Sequence, residues 1–445
     1  MGSSLSDRAP PGRRAVIVGS ARTPFHRAFT ALVDVDAIGL GAAACGGLLD
    51  RVGLNPDQVD SVIWGGVILP SAAPNVGREL VLDLRLPPRI EAMTVSRACA
   101  SGLQAITLAA AAIERGEADV VIAGGGDSTS HAAVQMGPRF GRALAPVALG
   151  KKMGLSDWAQ VVAQLAPISE VLPRRPEVAE RSTGERMGEA AERMARRHGV
   201  GRDEQDAFAL RSHQRAAAAE AAGLFAAERA PVRTPHGDVE ADGLVRTDTS
   251  LERLGRLKPV FDKAGGTLTA GNSTPLTDGA AAVLLMREDR ARALGLRPLA
   301  ALRSWAYVGV DPADQLLIGP AIAMPLALER AGLQLSDIDL VDIHEAFAAQ
   351  VLCVLRALAS DGWARERLGR DRAVGEVDPA RLNVLGGSLA FGHPFAATGA
   401  RMVGTMAHEL ARRGHGTALL GICAAGGLGA AAVLEAVDGA GVARA

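Results

Sequence analysis

CASGLQAITLAAAAIERGEADVVIAGGG, residues 99–126, decides the fold, because a second stretch of the chain repeats its grammar. A small-residue turn opens an Ala- and Leu-rich helical pattern, Gly116 closes it, and a buried strand pattern follows and runs into a glycine cluster. AATGARMVGTMAHELARRGHGTALLGICAAGG, residues 396–427, follows the same order. The glycines bracketing the helix lie 14 positions apart in the first copy (Gly102, Gly116) and 15 in the second (Gly399, Gly414). Two copies of one turn–helix–strand–turn unit imply two homologous α/β halves packed together. Functional groups are then expected where both halves present their turns.

The 445-residue chain is long enough for two or three domains. Its 48% hydrophobic content excludes a mainly disordered chain, and 52 glycines with 3% aromatics indicate close backbone packing. With 48 basic and 49 acidic residues the net charge is −1, so no global field draws it to nucleic acid or to a membrane. Cys45, Cys99, Cys353 and Cys423 are widely spaced without a CxxC pair, so neither a disulfide framework nor a metal site is expected. That usage fits a reducing, cytoplasmic setting. Residues 1–14 read as a flexible tail without the apolar core of a secretory signal, and no apolar run is long enough to span a bilayer.

Outside the repeat, strand patterns begin at Ala15 and Ser61, and a helical pattern lies between Leu32 and Leu49. From about residue 131 to 257 the composition shifts towards Arg, Glu and Gln with irregular prolines, which reads as an inserted domain or lid. Strand-like grammar resumes with GTLTAGNSTPLTDGAAAVLLM at Gly266. GGGDS at Gly124 lacks the lysine of a phosphate loop and reads as a turn.

Four residues carry the candidate chemistry. Cys99 stands where a β-type run (Met93, Val95) turns into a helix; an unpaired Cys there is either a small packing residue or a nucleophile. A helix N-terminus favours the thiolate, the reactive form. His344 in VDIHEAFAA, His393 in GGSLAFGHPFAATGAR and Cys423 in GICAAGGLGAA each sit at a Gly-flanked or strand-end turn. A Cys nucleophile needs a base, and His is the usual partner. A second Cys becomes useful when a carbon beside a thioester must lose and regain a proton, since a thiol works as acid and base near neutral pH. Cys45 and Cys353 lie in helical patterns without polar neighbours and read as packing residues.

CASG at Cys99, GNSTPLTDGAAA at Gly271, HEAFAAQ at His344, NVLGGSLAFGHPFAATGAR at His393 and CAAGGLGAA at Cys423 together resemble the motif set of the thiolases, in family order. His344 stands where many thiolases have Asn, a spelling that resembles the bacterial fatty-oxidation and trifunctional-protein β-subunit branch. The resemblance implies a five-layer αβαβα fold with two homologous halves and an inserted loop domain. Residues 15–130 with 256–296 would form the N-terminal half, 131–255 the loop domain and 297–440 the C-terminal half.

It also implies thiolytic cleavage of 3-ketoacyl-CoA by coenzyme A, in ping-pong fashion. Cys99 would accept the acyl group, His393 activate it, and Cys423 handle the α-carbon proton. His393 and a water held by His344 would serve the enolate oxygen; the backbone N–H groups of Cys99 and Ala425 would serve the tetrahedral intermediate. Glu345 would orient its neighbours, and Thr274 would contact pantetheine. Coenzyme A enters as substrate, with no permanent cofactor. Alternatives are a biosynthetic enzyme condensing two acetyl-CoA, and a non-catalytic acyl-CoA- or sterol-binding relative; occupation of all four positions argues against the latter.

A homodimer or tetramer is expected, and the β-subunit resemblance adds a possible hydratase/dehydrogenase α-subunit. KKMGLSDWAQVVAQLAPISEVLPRR, residues 151–175, places Trp158, Val161, Val162, Leu165 and Leu172 at helical spacing, with Ser156 as N-cap and Pro167 breaking the helix into a hairpin. Such a hairpin either packs on a thiolase subunit or touches an α-subunit or membrane surface, where Lys151, Lys152, Arg174 and Arg175 suit anionic headgroups.

Overall fold

The computed structural model describes residues 13–134, 137–150, 152–163, 172 and 179–437. Its strands are β1 (Ala15–Arg22), β2 (His26–Arg27), β3 (Ser61–Gly65), β4 (Glu91–Val95), β5 (Val120–Ser128), β6 (Val232–Thr234), β7 (Gly237–Val239), β8 (Thr277–Arg287), β9 (Ala300–Gly309), β10 (Leu340–Ile343), β11 (Thr417–Ala424) and β12 (Leu428–Glu435). Apart from the β6–β7 hairpin they form one path, β10-β11-β12-β9-β1-β8-β5-β3-β4, with β2 beside β8.

That path is the same sheet built twice. In the first half β3 runs parallel to β4 and β5, β5 pairs antiparallel with β8, and β8 antiparallel with β1. In the second, β10 runs parallel to β11, β11 antiparallel to β12, and β12 antiparallel to β9. A parallel bridge from Val341 to Leu382 stands where the first half has β4. The halves join where Val16 and Ile17 of β1 pair with Ala301 and Ala300 of β9.

Both faces of each half-sheet are buried, so its strands read as continuous apolar runs. In β5, Val121 and Ala123 point into the central core, while Ile122 points into an outer core with Trp64 and the helix Ala37–Val52. The central core holds helices Ser101–Arg115 and Ala396–Arg413, the two copies read from the sequence. A third core packs helices Pro320–Ala331 and Ala348–Leu358 on the far face of the second half. The layers are therefore helix, sheet, helix, sheet, helix. Gly116 (φ 83°) and Gly414 (φ 77°) end the two central helices in the left-handed conformation that glycine adopts without penalty.

Two expectations are corrected. GGGDS is no turn: β5 continues to Ser128, and a Cβ on Gly124 would collide with the Ala281 carbonyl oxygen and Trp64. Those glycines allow close packing. Ser156 is not an N-cap, because its helix already begins at Leu155, and the Asp157 carboxylate accepts from the Gly154 N–H at 2.9 Å.

The chain divides into two compact units, and the expected insertion is shared between them: 131–178 is a unit of its own, whereas 179–255 belongs to the larger one. Within the smaller unit, helices Pro138–Ala148 and Leu155–Ala163 pack against each other. Lys151, Leu165, Pro167, Arg174 and Arg175 lie outside the described residues, and with them the expected break at Pro167. Among the described residues, Trp158, Val162 and Leu172 are exposed and Val161 is buried.

Candidate active site

Cys99 sits in a tight turn between β4 and the helix Ser101–Arg115. Ala98 adopts φ 45°, uncommon for a residue with a Cβ, and the turn is locked by Ser101. The Ser101 hydroxyl accepts from Arg97 N at 2.7 Å and donates to the Ala98 carbonyl at 2.6 Å. The equivalent turn in the second half carries His393, and there Phe395 adopts φ 29° just before the helix Ala396–Arg413.

The two helix starts touch. A Cβ on Gly102 would collide with the Ala396 carbonyl oxygen and lie 3.0 Å from Ala400 N; one on Gly399 would lie 2.7 Å from Leu103 N. Only residues without a side chain let these backbones meet. Asp127 at the end of β5 ties the seam, its carboxylate accepting from Ala396 N at 2.8 Å and from Val67 N and Ile68 N at 2.8 and 2.6 Å. Burial pushes that carboxyl up to about 7 despite the three donors.

His344 and Cys423 arrive on neighbouring parallel strands. His344 directly follows β10, its N–H donating to the Gly421 carbonyl of β11 at 2.8 Å, and Cys423 lies two residues beyond Gly421. The imidazole centroids of His344 and His393 lie 4.2 Å apart, with the ring planes tilted at 44°. Each ring is held at Nδ1: His344 by the Ser388 hydroxyl at 3.0 Å, His393 by the Thr398 hydroxyl at 2.6 Å. Each buried Nε2 has no hydrogen-bond partner among the described residues. The Nδ1 contacts orient both rings, and burial favours their neutral forms. Burial, then the Arg401 charge, pushes His393 down to about 3. Burial, the neighbouring His393 and Arg401 hold His344 well below the ordinary histidine value.

The thiols differ from the simplest expectation. Burial raises Cys99 to about 11, outweighing the backbone N–H groups of Ala425 and of Cys99 itself, which stabilise its thiolate. The helix N-terminus alone does not make it a resting thiolate. Cys423 is raised well above the ordinary thiol value by burial and by the nearby charge of Cys99. Those N–H groups at the Cys99 sulfur are the pair expected to hold an oxyanion. The turn that carries Ala425 is pinned by Glu180, whose carboxylate accepts from Gly426 N at 2.9 Å.

Glu345 is buried beneath the site. It accepts from Ser212 at 2.7 Å, Asn383 at 2.6 Å and Leu389 N at 3.1 Å, an orienting hub with every contact occupied by protein. The Thr274 hydroxyl donates to the Ser388 carbonyl at 2.9 Å, so it braces the loop that supports His344. Thr274 also lines a groove of about 210 Å³, with Arg27, His213, Arg246, Phe261 and Leu389. Arg27 and Arg246 bring two cationic side chains to this groove.

Sequence reasoning reached Cys99, His344, His393 and Cys423 but missed Asp127, Glu180, Ser388, Thr398 and Arg401. Ser388 and Thr398 lie within the quoted GGSLAFGHPFAATGAR motif, five residues either side of His393. Asp127 and Glu180 act through contacts about 270 and 250 positions away along the chain, which no local pattern signals.

Family models of the thiolase N-terminal domain and the thiolase C-terminal domain match residues 15–289 and 296–436. The chain belongs to the thiolase family. This thiolase is 48% identical over 426 residues to a 3-ketoacyl-CoA thiolase of Serratia proteamaculans, covering 95% of the chain and 97% of that protein. It is 47% identical over the same length to a 3-ketoacyl-CoA thiolase of Yersinia enterocolitica, with the same coverage. Among solved structures, human mitochondrial 3-ketoacyl-CoA thiolase in complex with CoA superposes with TM-score 0.80 at 33% identity, covering 96% of this thiolase and 98% of that chain. The Bacillus anthracis acetyl-CoA acetyltransferase gives TM-score 0.80 at 33% identity, covering 95% and 99%. Their agreement over nearly the whole length places this thiolase in the fold expected from its repeat.

Proposed function

We propose that this thiolase cleaves 3-ketoacyl-CoA with coenzyme A, giving acetyl-CoA and an acyl-CoA two carbons shorter, in fatty-acid β-oxidation. The observation that carries this reading is the close pair of histidines with buried, unpartnered Nε2 atoms, whose burial favours the neutral form. Neutral imidazoles are what a site needs to receive a thiol proton and to donate to a developing enolate.

The Cys99 thiol passes its proton to His393 Nε2 as the sulfur attacks the 3-keto carbon. With Cys99 near 11 and His393 near 3, the transfer is driven by bond formation rather than preceding it. The resulting oxyanion lies against the backbone N–H groups of Cys99 and Ala425. Collapse breaks the C2–C3 bond, and its electron pair moves onto the thioester oxygen of the acetyl-CoA enolate, served by His393 and by a water held by His344. Cys423 then gives its proton to C2, and its high thiol pKa suits a donor to carbon. Acetyl-CoA leaves, the proton on His393 resets Cys423, and the thiol of CoA attacks the acyl-Cys99 carbonyl. The CoA thiol gives its proton to His393 Nε2 as it attacks, and Cys99 takes that proton as it leaves, closing the cycle.

Arg27 and Arg246 in this groove support coenzyme A binding by their match to its phosphates, and Thr274 supports pantetheine placement through the loop it braces. We place the protein in the cytoplasm as a homodimer or tetramer. The bacterial relatives support the cytoplasmic placement. Exposed Leu149, Leu155, Trp158 and Val162 support the smaller unit as the contact for a hydratase/dehydrogenase α-subunit; pull-down of wild type against Trp158→Glu tests this, and liposome binding instead would assign the surface to a membrane.

Thiolytic turnover on 3-ketoacyl-CoA of four to sixteen carbons tests the main reading. Acetyl-CoA release dependent on Cys99 is expected, and wild-type protein inactive on every chain length would refute it.

A further inference from the structure

We infer that Ser388 is a positioning residue that fixes the His344 ring with its proton on Nε2, so that His344 donates to the water it holds at the enolate oxygen and never acts as a base. The inference deepens the proposed reaction and rests on His344 serving the enolate oxygen.

Asp342 of β10 and His344, which directly follows that strand, are two residues apart and share one face of the extended chain. The Arg401 guanidinium reaches that face from the helix Ala396–Arg413, with Nη1 3.6 Å from Asp342 Oδ2 and Nη2 3.4 Å from Ser388 Oγ. All four side chains are buried. A guanidinium carries donors only, so at Ser388 it can only give a hydrogen bond. Its positive charge turns the hydroxyl hydrogen away, towards the other partner of Oγ, His344 Nδ1 at 3.0 Å. A ring nitrogen that accepts carries no proton, and a neutral imidazole must then carry its one N–H at Nε2. Burial beside Arg401 and His393 keeps the ring neutral.

The backbone of Ser388 is fixed as firmly as its hydroxyl. Its carbonyl accepts from Thr274 Oγ1 at 2.9 Å and from Gly392 N at 2.8 Å. The neighbouring histidine is treated differently. The His393 Nδ1 partner is Thr398, and among the described residues no guanidinium donates to that hydroxyl, so Thr398 can give or accept. His393 keeps the tautomeric freedom that a proton acceptor requires. Two neighbouring imidazoles thus receive two duties from their second hydrogen bonds.

Nitrogen-15 histidine labelling tests this, with His344→Asn identifying the His344 signals. The wild type should show a neutral ring protonated at Nε2. Ser388→Ala should raise the Nδ1–H population, and Ser388→Thr, which keeps a hydroxyl, should restore the wild-type tautomer. In kinetics Ser388→Ala should lower kcat for carbon–carbon cleavage about tenfold with little change in KM, and slow acyl exchange between CoA thioesters far less. A wild-type ring protonated at Nδ1, or an imidazolium at neutral pH, would overturn the proposal even if no variant folds. So would wild-type tautomer and kcat in Ser388→Ala. Failure of wild type to turn over 3-ketoacyl-CoA would refute the reaction instead, leaving the tautomer to be judged by its own spectrum.

Discussion

The imidazoles of His344 and His393 lie 4.2 Å apart, one delivered by the end of β10 and the other by the turn before the helix Ala396–Arg413. Both belong to the second half of the repeat, while Cys99 belongs to the first. The site therefore exists only where the two halves close on each other.

That arrangement sets different costs for the two rings. His393→Ala removes both the proton acceptor for Cys99 and an oxyanion donor, so acylation and thiolysis should both fall by about 10²–10³. His344→Asn keeps a donor in place of the ring and should be milder. Rates of the two half-reactions in each variant check this; equal damage from both would make His344 a direct acid–base group.

The resting protonation states fix the pH profile of acylation by acetyl-CoA. A histidine depressed to about 3 stays an available base as pH falls through 6.5, where a free imidazole would already be protonated. A thiol raised to about 11 loses its proton only in strong base. The acylation rate of native enzyme should thus be flat between about pH 5 and pH 9. A rise through pH 6.5 following one titration would show that His393 is far less shielded than its burial implies.

The seam between the halves makes a sharper packing prediction. Gly102→Ala places a methyl against the Ala396 carbonyl and Ala400 N, which are backbone and cannot swing aside. Destabilisation of about 1–3 kcal/mol is expected, with slower acylation because Cys99 is three residues away. Denaturant midpoints and acylation rates measure both. A neutral Gly102→Ala would mean that the helix starts separate more easily than the contact suggests.

The fold was legible because its repeat is local twice over: each helix and its following strand lie within about thirty consecutive residues and are punctuated by Gly116 and Gly414. The candidate site residues were legible for the same reason, each standing in a short motif. GGGDS was misread because a glycine run signals a turn by propensity, whereas here tertiary crowding by Ala281 and Trp64 demands glycine inside a strand. The resting state of Cys99 was also beyond the sequence, since the helix terminus is local but the burial that outweighs it comes from both halves. Ser388 and Arg401 needed coordinates for their roles, because a hydroxyl and a guanidinium acquire meaning only from what they face.

The central claim is that Cys99 carries the acyl group while Cys423 moves the carbon-bound proton, and intact-mass analysis after mixing with 3-ketoacyl-CoA in the absence of free CoA tests it most directly. Wild type should release one acetyl-CoA per active site and hold the shortened acyl group on Cys99. Cys99→Ala should show no adduct, and Cys423→Ser should acylate from a simple acyl-CoA yet fail to cleave the 3-keto substrate. An acyl adduct that persists in Cys99→Ala, or that maps to Cys423 in the wild type, would contradict the account.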